Sequence, residues 1–84
     1  MFVIMVFYKT SENSVDQPKK NDFIGYLKDV DHDEIIVTRY ANAAFIIDNF
    51  NVAIEMIKML NETSEDKLYM VRSCHIYSEW KMEI

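Results

Sequence analysis

Apolar and polar positions follow two different periods along this chain, and the changes of period divide it into elements. Residues 48–61, DNFNVAIEMIKMLN, carry the one sustained helical repeat. Wound at about 100° per residue, Asn51, Glu55, Lys58 and Glu62 gather on one narrow stripe and the rest of the surface is apolar. The predicted buried arc is roughly 220° wide, against about 100° for an ordinary surface helix. Such a helix needs more than one surface to pack against: a sheet on one side and a second partner, such as another subunit, on the other. Asp48 or Asn49 is placed to cap its N-terminus, and Asn61 to end it before the polar run Glu62-Thr63-Ser64-Glu65-Asp66.

The flanking segments read as strands. Residues 2–9 are rich in aromatic and β-branched side chains with no polar interruption before Lys9. A strand apolar on both faces is covered on both, which places it centrally in a sheet. Residues 10–22 form a polar loop holding the only proline, Pro18. Residues 23–28 fit a strand or a short helix, and their shortness and interior Gly25 favour the strand. The acidic pentad 29–33 then forms a hairpin tip ahead of a second strand over 34–40. Residues 41–47 lead into the helix, with Phe45 as the anchor under its start. Residues 67–84 are extended, too long for one straight strand, and predict a bend or bulge near Ser73 or Ser78. The fold class is α+β: a three- to four-stranded, mainly antiparallel sheet with one main helix on a face, in the order β-β-β-α-β, within a single domain over 1–84.

The segment Ala41…Ala44-Phe45, the cap Asp48, the helix with Ala53 on its inner face and a last strand from Leu68 resemble small accessory proteins of phages and mobile elements. That resemblance implies a small early-type protein without enzymatic activity that binds a host factor. It singles out no named family.

Composition narrows the picture further. With 14 acids against 9 bases the formal charge is −5, which on average repels a phosphate backbone and suits a basic partner protein. Cys74 is the only cysteine, so no disulfide forms within the chain and a reducing, cytoplasmic setting is expected. The apolar start has no basic leader and is far short of the ~20 residues that span a membrane. One glycine excludes a glycine-rich phosphate loop.

Each chemical motif has a plainer reading beside it. Asp29, Asp31 and Asp33 have the spacing that opens an EF-hand loop, but Glu34 stands where glycine is needed and Tyr40 where the bidentate glutamate is needed. A solvated acidic tip is favoured over a weak divalent site. Cys74 and His75 are neighbours on a strand and point to opposite faces, so they do not converge as a nucleophile and base. Cys74 reads as a small buried hydrophobe, and His32 as a turn residue with no sequence-local partner. Arg39 and Arg72, near Tyr40 and Tyr69, fit a stacking platform for single strands or, with this net charge, strand arginines paired with acids. The flank Val52, Met56 and Met59 fits an adaptable binding surface, since methionine is common there, or simply core, where a methionine stripe is more often found; the arc, too wide for one sheet, brings the two readings level.

The expectation is therefore a non-enzymatic protein-interaction domain, an inhibitor of a host or defence protein that acts by occlusion, and a homodimer. Its candidate interface residues are Val52, Met56, Met59, Asp29, Asp31 and Asp33. No catalytic residue, metal or cofactor is assigned, and neither nucleic acid nor membrane is expected as a partner. The alternative is a dimeric small-ligand-binding or regulatory domain.

Overall fold

The computed structural model describes residues 1–10, 19–32 and 34–74. Four strands and one helix follow in the predicted order: β1 (Phe2–Tyr8), β2 (Phe23–Asp31), β3 (Glu34–Thr38), α1 (Phe50–Thr63) and β4 (Lys67–Ser73). The strands form one antiparallel sheet in the order β3-β2-β1-β4. β1 is central, as its two apolar faces require. Ile4 and Val6 face α1 and join Leu27, Ile47, Ala53 and Tyr69 in the core. Val3 and Phe7, which alternate with them, are equally buried on the other face, where Phe7, Phe23 and Tyr26 stack edge to face.

Residues 23–28 are strand, and the strand continues through the first half of the acidic pentad. Asp29 and Asp31 lie within β2, opposite Ile36 and Glu34, and the turn is confined to the step after Asp31, where His32 takes a left-handed φ of 50°. β2 holds irregular register twice, between its partners Val6 and Phe7 on one side and between Leu27 and Asp29 on the other. Gly25 belongs to this distortion: a Cβ there would sit 2.7 Å from the carbonyl oxygen of Thr38. Only glycine lets the β3 backbone come so close.

Two predicted details are corrected. The helix runs two residues beyond Asn61 to Thr63, because the Asn61 amide is taken up by β4, donating to the Tyr69 carbonyl at 3.0 Å and accepting from its N–H at 2.9 Å. Ser64 ends the helix instead, its N–H donating to Leu60. Phe45 is not an anchor, being 48% exposed. Its backbone N–H donates to Leu27, while Ile47 inserts and exchanges both backbone hydrogen bonds with Phe2, whose ring meets Phe50 at 5.3 Å. Of the two possible N-caps it is Asn49 that serves, its Oδ1 accepting from Asn51 and Val52. β4 ends at Ser73, one of the two positions where a bend is predicted; Ser78 and the rest of the predicted long strand lie outside the described residues.

Candidate interaction cleft

α1 packs mainly over β4 and β1, and Leu27 of β2 and Ile35 of β3 reach the same core from the hairpin. This placement divides the wide apolar arc of the helix. Ala53, with no exposed surface, sits against the sheet, and Met56, Ile57 and Leu60 pack on the core half-buried. Met59 and Val52 are 66% and 50% exposed.

Between the last turns of α1 and the far end of the hairpin lies a cleft of about 770 Å³. Val30 and Ile35, paired across β2 and β3, form one wall, and Met56, Met59 and Leu60 the other. The lip is polar, built from residues 63–67. Within it Asp66 and Lys67 meet at 2.7 Å, and this bond from the ammonium holds the Asp66 carboxyl below its ordinary value. Lys67 also lies 5.5 Å from the Tyr8 ring centre. Tyr69 closes the floor; burial pushes its hydroxyl above the usual tyrosine value.

The predicted interface residues are only partly brought together. Met56 and Met59 share the cleft; Val52 is exposed a turn and more away and does not line it. Asp29 and Asp31 alternate with Val30 and so belong to the opposite face of the hairpin, both exposed. Asp33 lies outside the described residues. Asp29 turns its carboxylate onto the Val30 N–H at 2.8 Å, and Asp31 lies 2.7 Å from His32 Nδ1, so His32 does have a sequence-local partner. Val30, Ile35 and Leu60 escaped the sequence reading. Val30 sits inside the acidic pentad, and only the continuation of β2 through that pentad reveals it as a wall residue.

Cys74 is half-buried rather than fully enclosed, its N–H donating to the Met1 carbonyl, and burial raises its thiol. His75 is outside the described residues. Among the described residues no group of three or more His, Cys, Asp or Glu is arranged to hold a metal ion, and no helix is long and apolar enough to cross a membrane.

The class these features define is an α+β sheet with one helix set off-centre over it. No family model, curated protein or solved structure matches the chain.

Proposed function

We propose that this chain is a non-enzymatic protein-interaction domain whose cleft takes up an apolar segment with basic flanks from a partner protein. The observation that carries the reading is Met59: a large, flexible side chain, two-thirds exposed, on the wall of an apolar cleft whose lip carries Glu65 and Asp66. The net charge of −5 adds a field that speeds encounter with a basic surface. The resemblance to phage and mobile-element accessory proteins gives the reading a specific form, an inhibitor that occludes a host or defence protein in the cytoplasm.

A cleft of this volume also falls in the range of small-molecule sites. Such sites place a few polar groups inside to orient the ligand. Here most polar groups are on the lip, the side walls are aliphatic and thioether, and the one polar group set below them is the Tyr69 hydroxyl. That proportion favours a protein segment over a small ligand.

The test is retention of a single stoichiometric protein from a bacterial lysate, compared between wild type and Met59→Glu. Met59 is exposed, so the variant folds; a charge on the cleft wall abolishes retention. Equal retention by both overturns the cleft as the binding surface, and a small molecule carried through purification of the wild type alone supports the ligand reading instead. Met56→Glu is a poorer probe, because Met56 packs on the core and its loss costs folding as well.

A further inference from the structure

The two outer strands of the sheet differ in what meets their free edges. At β4 the helix supplies partners: Asn61 pairs with both backbone groups of Tyr69, and Ser64 Oγ accepts from the Lys67 N–H at 3.0 Å. At β3 nothing comparable occurs among the described residues. Its sequence, Glu34-Ile35-Ile36-Val37-Thr38, has none of the lysines, prolines or bulged residues that blunt an edge. Ile36 and Val37 are exposed.

The pairing of β3 with β2 settles which groups point outward. Asp31 and Glu34 close a tight turn, so Glu34, Ile36 and Thr38 turn their N–H and C=O toward β2. Ile35 and Val37 therefore turn theirs to the open side. We infer that a second copy of this chain pairs with β3 antiparallel about a two-fold axis at Ile36, joining two sheets into one of eight strands.

Three features select this occupant. In that register Ile35 of one copy exchanges its backbone hydrogen bonds with Val37 of the other, so every outward group of the strand is satisfied by its own counterpart. Glu34 faces Thr38 and not another Glu34, which avoids like charges in direct opposition. Arg39, exposed and without an ion pair among the described residues, follows Thr38 and is carried to the Glu34 end of the other copy's β3. The two-fold pairing uses both β3 edges, and Asn61 and Ser64 already meet the β4 backbone at Tyr69 and Lys67, so the growth stops at two copies. A perpendicular two-fold also leaves both helices, and both clefts, on the same side of the joined sheet. The inference does not depend on what fills the cleft.

Pairing through one five-residue edge buries less than a standard interface of roughly 1,600 Å², so the dimer dissociates on dilution. Sedimentation over a concentration series up to the solubility limit tests this. The wild type rises from 10.0 kDa to twice that mass and no further. Ile36→Lys sets two ammonium groups against each other at the axis and remains a monomer, with an unchanged circular dichroism spectrum. It still loads the partner retained in the lysate experiment, while Met59→Glu stays dimeric. A second variant guards against misfolding. At the axis the two Ile36 Cα atoms form a close pair about 4.5 Å apart, within disulfide reach. In a Cys74→Ser background, Ile36→Cys cross-links to a covalent dimer with oxidised glutathione, and Val52→Cys does not. A wild type that stays at the mass of one chain throughout, masses beyond the dimer, a dimeric Ile36→Lys, or equal cross-linking of both cysteine variants overturns the proposal.

Discussion

At the β4 edge, Tyr69 turns its backbone outward and meets Asn61, whose amide supplies a donor and an acceptor in the spacing of another strand. At the β3 edge, Ile35 and Val37 turn the same groups outward with no side chain of the described chain to meet them. The first edge is met at Lys67 and Tyr69 by Ser64 and Asn61 from the helix end; the second has no such partner among the described residues. The difference goes with the placement of α1, whose Ala53 is fully buried in the core and whose main contacts are with β4 and β1, while Met56 and Met59 line the cleft beside the hairpin. A closed edge, a cleft and an open edge thus follow in that order across the sheet.

The comparison breaks most decisively at Asn61. Asn61→Ala leaves two part-buried backbone groups of Tyr69 without partners, at a cost of about 2 kcal/mol. For a chain of this size that lowers Tm by roughly 10 °C in a calorimetric scan. If Asn61 also keeps the edge from pairing, the variant forms species larger than a dimer, which the wild type does not. An unchanged Tm means the Asn61 bonds add nothing that water does not replace.

Gly25→Ala strains the other side. The added methyl would sit 2.7 Å from the Thr38 carbonyl oxygen, and because that atom is backbone the two strands themselves must shift. The expected cost is up to about 2 kcal/mol, with β3 amides exchanging faster than those of β1 and β4. Uniform acceleration across all four strands contradicts an independently loosened edge.

These residues also show what the sequence reveals and what it hides. The order of elements along the chain and the single helix are readable from the changes of period, and β1 announces its central place through two apolar faces. The edges are not readable. Asn61 looks like a helix terminator because asparagine commonly ends helices, and only the position of Tyr69 turns it into an edge cap. Phe45 looks like an anchor because it is large and apolar, but Ile47 occupies the space beside Phe2. Val30 looks like part of a charged tip until the register puts it opposite Ile35. Tertiary proximity decides each case, and local pattern carries no record of it. Met56 and Met59 read as one flank of the helix, and nothing in the local pattern separates the half-buried Met56 from the exposed Met59.

Ser64→Ala is a milder probe of the closed edge. It removes the acceptor of the Lys67 N–H and keeps the helix stop, which rests on the Ser64 backbone N–H. The expected cost is about 0.5–1 kcal/mol, read as a small fall in Tm by denaturation in parallel with wild type. A cost as large as that of Asn61→Ala means the first residues of β4, and not Tyr69, hold the edge.

The smallest effect is electrostatic and falls at the start of the closed edge. Lys67 opens β4, and its ammonium contacts Asp66 at 2.7 Å, holding that carboxyl below its ordinary 3.8. A carboxyl depressed in the folded chain adds stability above its unfolded pKa and loses it as pH falls through the folded value. The window therefore lies in acid, below the usual carboxylate range. Asp66 is fully exposed, so solvent screens the pair and melting temperature hardly registers it. A carboxyl-detected NMR titration does register it: the Asp66 midpoint lies below the ordinary value in wild type and returns to it in Lys67→Met. An Asp66 midpoint at the ordinary value in wild type shows that the ammonium is not held at the lip, and with it the contribution of Lys67 to the shape of the cleft mouth is lost.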